Sequence, residues 1–339
     1  MNRVNYNSIF HKQMGSFVRE VELKGYKALH IKRIFKEFDT FLVNSYPNIS
    51  YITELVYREW FDTTIELDKH TRYQKAAIII RLIKYLVSLG IDCYIPPMPR
   101  SYRNDFVPHI YSKDEIKRLF DACDNMRTKE RVPSTSLIVV PALVRLLYST
   151  GIRIGEALSI KNRDVDFNRH VITLNITKNG HQRYAPINST IEAVLKQYIS
   201  YRDRMPIANL TAPNNYLFVN CVGRPIVKNV ISRWFILALK AAEIPYKGNR
   251  QGPRIHDLRH SAAIHAFEQL ISKGKDPYCC IPLIAQFLGH TSSKQSEHYL
   301  RLTAAMYPEL LKLDNNVTSD IIKIDKILKQ NNLCNYGKD

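Results

Sequence analysis

Apolar residues recur at helical spacing through the first 93 positions. Met14, Phe17 and Val21 form one stripe, and Ile31, Ile34, Phe35, Phe38, Phe41 and Leu42 a second. Tyr73, Ala76, Ala77, Ile80, Ile83 and Leu86 form a later one. Gly25, Pro47 and Gly90 punctuate these runs. The pattern predicts four helices in a compact bundle. The segment Tyr94 to His109 then carries Pro96, Pro97, Pro99 and Pro108 with few apolar anchors. Such a density of proline forbids a helix and stiffens the chain, so a domain boundary is expected there.

Beyond it the pattern becomes mixed. Ser112-Lys113-Asp114-Glu115 reads as a capping box opening a helix through Leu119 and Phe120. Ser136 to Ser149 reads as a helix ended by Gly151, and Arg153 to Ile160 begins another. His170 to Ile176 alternates and predicts a strand, Lys178-Asn179-Gly180-His181 a hairpin turn, and Gln182 to Ile187 the return strand. From Ser189 onward helical patterns dominate again. The expected fold class is mainly α with a small β-sheet. The expected organisation is a helical domain at 1–93, a linker at 94–109, an α+β domain at 110–315 and a tail helix at 316–339.

Charge changes this picture more than composition does. The 339 residues carry a net charge of +18, with +5 on residues 1–105 and +13 on 106–339. A basic excess on both parts suits a protein that grips a polyanion from two sides, and nucleic acid is the favoured partner. Solubility and attraction to an acidic membrane surface are the competing readings. His70, Arg72 and Lys75, near the start of the last N-terminal helix, are candidates to face phosphates, with a solvated face as the alternative. Six scattered cysteines form no CxxC pair, and no histidine–cysteine spacing suits a metal. A reduced, cytoplasmic protein is expected. The most apolar stretch, Leu137 to Leu147, is interrupted by Pro141 and Arg145 and is too short for a membrane span.

Four short segments carry candidate chemistry. Thr150-Gly151-Ile152-Arg153-Ile154-Gly155-Glu156 sets an arginine at a helix start, where free N–H groups favour phosphate, with Glu156 in reach to hold it. His256-Asp257-Leu258-Arg259-His260 sets two imidazoles and a guanidinium on roughly one helix face. Those groups repel one another unless an anion lies between them. Alternatively, His256 caps the helix while Arg259 pairs with Asp257 or Glu268. Leu288-Gly289-His290 follows, and Tyr299 lies nine residues after His290. A tyrosine hydroxyl, with a pKa of about 10, is a poor nucleophile unless its surroundings stabilise negative charge.

Together these segments, in this order and spacing, resemble the signature boxes of the tyrosine recombinases, the phage-integrase family. The resemblance covers roughly residues 110–302 and is similar to that of transposon or Xer-like site-specific recombinases. It implies that Arg153 and Arg259 clamp a scissile phosphate, that His256 and His290 are the active-site histidines, and that Tyr299 is the nucleophile. It also implies that Lys178, in a turn resembling the family's β-hairpin, protonates the leaving 5′ oxygen, and that Glu156 supports the site. Residues 1–93 resemble the family's helical core-binding (SAM-like) domain.

The implied reaction forms a 3′-phosphotyrosine link to DNA. The arginines and lysine supply the positive charge, so neither a metal nor another cofactor is expected. The implied partners are duplex DNA bearing specific sites and a homotetramer on synapsed DNA. Accessory recombinase subunits are possible and a membrane is not implied. A bacterial cytoplasmic setting, nucleoid-associated when bound, goes with that reading. Type IB topoisomerase-like relaxation and a catalytically silent DNA-binding regulator are the alternatives. In the tail, Ser319 is placed to cap a helix striped by Ile321, Ile324, Ile327 and Leu328. That helix is expected to dock on a neighbouring protomer or on its own domain. His265 reads as structural and His298 as ambiguous.

Overall fold

The computed structural model describes residues 5–26, 28–100, 107–127, 134–175, 182–248 and 252–290. They divide into two compact units on either side of the Phe106–Val107 bond. The linker residues 94–100 and 107–109 form neither helix nor strand.

Among the described residues, four helices build the first unit: α1 (His11–Leu23), α2 (Leu29–Ser45), α3 (Glu54–Asp62) and α4 (Lys69–Ser88). The expected stripes face inward, with Met14, Phe17, Ile34, Phe35, Phe38, Leu42, Ile83 and Leu86 buried. Phe38 packs edge-on against Trp60 of α3, with ring centroids 5.2 Å apart. Thr53 and Asp68 cap α3 and α4 by accepting from the backbone N–H groups of Val56 and Thr71. Asp39, fully buried on α2, accepts hydrogen bonds from the N–H groups of Asn7 and Ser8 at 2.8–3.0 Å. It thereby pins the segment that leads into α1.

The second unit holds seven helices among the described residues. They are α5 (Lys113–Asn125), α6 (Val140–Thr150), α7 (Ile154–Ala157), α8 (Ser189–Arg202), α9 (Lys228–Ala241), α10 (Asp257–Ser272) and α11 (Pro277–Leu288). The Ser112–Glu115 capping box forms with both hydrogen bonds present. α6 is the hub. Its buried Leu143, Leu146 and Leu147 share a core with Leu119 of α5, Leu195 of α8 and Phe235 and Leu239 of α9. A second cluster joins Ile264, Phe267 and Ile271 of α10 to Cys280, Ile284 and Leu288 of α11.

The expected helix from Ser136 begins as a single 3₁₀ turn, Leu137–Val139, before α6. Pro141 then falls in the first turn of α6, where its missing N–H costs nothing. The expected helix from Arg153 stops after one turn. Ser159 folds back to donate its hydroxyl to the carbonyl of Glu156, and the chain leaves to bridge Tyr216 from Lys161.

The three strands β1 (Val165–Asp166), β2 (Val171–Leu174) and β3 (Arg183–Pro186) form one antiparallel sheet in that order. Ile172 pairs with Ala185 and Leu174 with Arg183. Alternation places Ile172, Leu174 and Ala185 in the core. β2 starts later than expected because Asp166 accepts from the N–H groups of Asn168 and Arg169, drawing the chain into a turn. That turn leaves His170 at a positive φ of 54°. The hairpin tip with Lys178, Tyr299 and His298 on the C-terminal side, and the tail helix lie outside the described residues.

Candidate active site

Two chain reversals bring the site together. α6 ends at Gly151 and α11 at Gly289, both in the left-handed conformation with φ of 60° and 66°. Each reversal delivers the next residues, Arg153 and His290, to the face where α10 starts. A side chain at Gly151 would press on Phe287 Cε1 at 2.9 Å and Leu288 Cδ2 at 3.0 Å, so the two reversals lie against each other.

Arg259 ties them. Buried on the first turn of α10, it donates from Nη1 to the carbonyl of Gly151 at 2.5 Å and from Nη2 to that of Leu288 at 2.7 Å. The alternative pairings with Asp257 or Glu268 do not form. Asp257 is taken by Arg254, through its N–H at 2.9 Å and Nη2 at 3.1 Å, and Glu268 lies 3.2 Å from Lys113 Nζ. His256 stands at the N-cap of α10 but makes no capping hydrogen bond. Its ring meets His260 edge-on, with centroids 5.2 Å apart.

Arg153 lies at the start of α7 with its Nη1 2.9 Å from Glu156 Oε1, and its backbone N–H donates to Oε2. Burial alone would raise the Glu156 carboxyl's pKa. The Arg153 N–H and the charges of Arg183 and Arg153 outweigh it and hold the group below the usual carboxylate range. Glu156 is therefore an anion sunk beneath the arginines.

The histidines respond to the same crowd of cations. Withdrawal from water, then His260, Arg259, Arg254 and Arg153, push His256 down to about 3, although one edge of the residue remains open to solvent. Burial, then Arg259, Arg153, His260 and Arg183, push His290 down to about 4. Four arginines and three histidines from four segments thus share one electrostatic neighbourhood, a setting that rewards an entering anion.

Residues 110–306 match the phage integrase family. The chain belongs to the phage integrase family. It is a site-specific tyrosine recombinase. The y4rB protein of Sinorhizobium fredii is 27% identical over 312 residues, which cover 90% of this chain and 95% of that protein. The tyrosine recombinase XerC of Roseiflexus castenholzii is 29% identical over 278 residues, covering 81% and 78%. A lambda integrase tetramer bound to a Holliday junction shares the fold, with a TM-score of 0.61 at 15% identity over 88% of this chain and 79% of the other. Neither DNA relaxation nor a silent regulator is favoured by these relatives.

Within this recombinase, the structure brings together Arg153, Glu156, His256, Arg259 and His290. Lys178 and Tyr299 lie outside the described residues. His70, Arg72 and Lys75 belong to the other unit. There, Lys75 Nζ lies 2.5 Å from Glu37, and the Arg72 guanidinium sits 4.0 Å over the Phe61 ring, while His70 is exposed. Arg72 and Lys75 therefore each have a partner within their own unit. His265 lies 2.7 Å from the Tyr148 hydroxyl, in keeping with a structural role.

Sequence reasoning missed Arg183. Its Nη2 reaches Glu156 Oε2 at 2.9 Å, as close as Arg153. The only sequence signal was a basic residue opening the return strand of a hairpin, which many surface strands share. No group of three or more His, Cys, Asp or Glu side chains among the described residues is arranged to hold a metal ion. No helix there is long and apolar enough to cross a membrane.

Proposed function

We propose that this recombinase cuts and rejoins duplex DNA at specific sites by attack of Tyr299 on a phosphodiester. The carrying observation is the anchoring of Arg259 to the Gly151 and Leu288 carbonyls beside an Arg153 held by Glu156. Guanidinium groups locked by their inner donors present the outer ones in a fixed fork, which suits the non-bridging oxygens of a phosphate. Positive charge organised in advance stabilises the five-coordinate phosphorus better than charge that must be recruited.

In this reading Tyr299 Oη forms a bond to phosphorus as the bond to the 5′ oxygen breaks. Lys178 gives that oxygen a proton. Of His256 and His290, neutral before DNA arrives, one takes the proton that leaves Tyr299 Oη and the other donates to the phosphate. The 5′ hydroxyl of another strand reverses the step and regenerates Tyr299. No energy input is needed because the phosphodiester energy is retained in the phosphotyrosine. The net charge of +18 and the tetramer on a Holliday junction seen for lambda integrase support duplex DNA as partner and a homotetramer as the working assembly. Residues 1–93 would supply a core-type DNA-binding domain, and residues 316–339 a contact between protomers.

The test is a nicked duplex suicide substrate, taken from a random-sequence library by covalent retention on the protein and run in EDTA. Wild type should form a denaturant-resistant DNA adduct and Tyr299→Phe should form none. An adduct that survives in Tyr299→Phe would rule out the assignment.

A further inference from the structure

We propose that Arg183 is a positioning residue that locks strand β3, the Glu156 carboxylate and the Leu288–His290 reversal into one rigid unit. The proposal rests on the recombinase reading above and goes beyond its catalytic set.

Arg183 opens β3, and Lys178 precedes it by five residues in the sequence. From there its guanidinium reaches two other parts of the fold. Nη2 donates to Glu156 Oε2 at 2.9 Å, and Nη1 lies 3.4 Å from the carbonyl of Phe287, at the end of α11. Glu156 thus holds two arginines, with Arg153 on Oε1 and Arg183 on Oε2. The side chain is 15% exposed, so these contacts are largely shielded from competing water.

Gly289 completes the arrangement. A Cβ there would overlap Arg183 Nε, and would stand 2.5 Å from Cδ and 2.9 Å from Cζ. Nε, packed against the glycine, finds no hydrogen-bond partner among the described residues. Glycine at 289 therefore serves two needs. It takes the left-handed φ that ends α11, and it leaves room for the Arg183 stem beneath the residue that precedes His290. Arg183 and Glu156 are 27 residues apart, and Arg183 and Phe287 are 104 apart, so one side chain registers three distant segments.

The consequence is geometric. Without Arg183, Glu156 retains Arg153 but loses its link to β3, and the His290 reversal loses its floor. A displacement of about 1 Å in a group that meets the transition state costs about 10²-fold in rate. Lysine at 183 retains the charge for Glu156 but cannot span to the Phe287 carbonyl as a planar fork does.

Full-length wild type, Arg183→Ala, Arg183→Gln, Arg183→Lys and Gly289→Ala are compared on the selected nicked duplex. At saturating DNA, single-turnover adduct formation should fall about 10²-fold in Arg183→Ala, Arg183→Gln and Gly289→Ala, with DNA affinity within about threefold of wild type. Arg183→Lys should recover at least about tenfold of that loss. In the free protein, NMR titration of the His290 imidazole, identified with His290→Gln, should show its midpoint rising in the Ala and Gln variants and holding in the Lys variant.

Unchanged adduct rates, a loss that follows only DNA affinity or thermal unfolding, or one common His290 titration would each overturn the role. If Arg183→Ala does not fold, the Gln and Lys pair decides. If wild type forms no adduct on any selected duplex, the recombinase mechanism fails instead, and the His290 titration of Gly289→Ala, which keeps the Arg183 charge but displaces it, decides the positioning role.

Discussion

Arg259 donates to the carbonyl oxygen of Gly151 across a separation of 108 residues, at 2.5 Å. Its second nitrogen does the same to Leu288. The guanidinium is therefore a structural bolt on its inner side, and in the proposed reaction its outer side would donate to the phosphate. Only arginine has enough donors in one plane for both tasks.

Arg259→Lys should reduce adduct formation at least about 10²-fold, because one ammonium cannot satisfy two carbonyls and a phosphate. Arg259→Ala should in addition destabilise the unit by about 3 kcal/mol, since two buried carbonyls lose their donor. Single-turnover kinetics and urea unfolding separate the two effects. Equal rates for Lys and Arg would remove the fork from the mechanism.

Glu156→Gln should destabilise the fold by about 3 kcal/mol at neutral pH, by leaving Arg153 and Arg183 without their shared anion. The pH dependence has a defined sign. A carboxyl whose folded-state value is depressed contributes stability above its unfolded value, and loses it as acid protonates the folded form. The Glu156→Gln deficit in urea unfolding should therefore shrink as pH drops below the usual carboxylate range. A deficit that stays constant with pH would show that the charge is not what matters.

His256 and His290 should be neutral in the free protein at pH 6, with NMR midpoints near the depressed values of about 3 and 4. A histidine so depressed binds fewer protons folded than unfolded. Its contribution to stability is complete above pH ~6.5 and is lost as pH falls from there toward 4 and 3. A phosphate among the cations reverses the balance and raises both values. DNA binding between pH 5 and 6 should then take up protons and tighten with acid. Calorimetry in buffers of different ionisation enthalpy measures this uptake, and its absence would place the phosphate elsewhere.

Gly151→Ala should lower the thermal midpoint and weaken adduct formation together. The new methyl would meet Phe287 and Leu288 at about 3 Å, at a φ of 60° that alanine resists. Strain and overpacking of this kind cost about 1–3 kcal/mol. The same peptide carries the carbonyl that anchors Arg259. A stability loss with an unchanged adduct rate would separate the two reversals from the catalytic geometry.

Much of the fold was legible because its signals are local. The stripes on α1, α2 and α4 bury as the helical period requires, and the Ser112–Glu115 capping box forms in full. The alternation of Ile172 and Leu174 marks the inner face of β2. The misreadings were local as well. Arg153 to Ile160 has helical residues but yields one turn, because the chain is drawn away to pair with Tyr216. No property of residues 153–160 announces that partner.

At the site, the sequence determined which residue types were available. Arg153, Glu156, His256, Arg259 and His290 stand in short segments whose order and spacing resemble the family's signature boxes, and glycines follow α6 and α11 where the chain must reverse. The tertiary structure decided how those residues are held. Asp257 went to Arg254 and Glu268 lies against Lys113, so Arg259 turned to the carbonyls of Gly151 and Leu288. Glu156 gained Arg183 from a strand 27 residues away. These choices depend on which groups meet after α6, α10, α11 and the sheet have packed. Spacing along the chain restricts neighbours within a turn of helix, whereas a buried charge takes its partner from whatever the fold sets beside it.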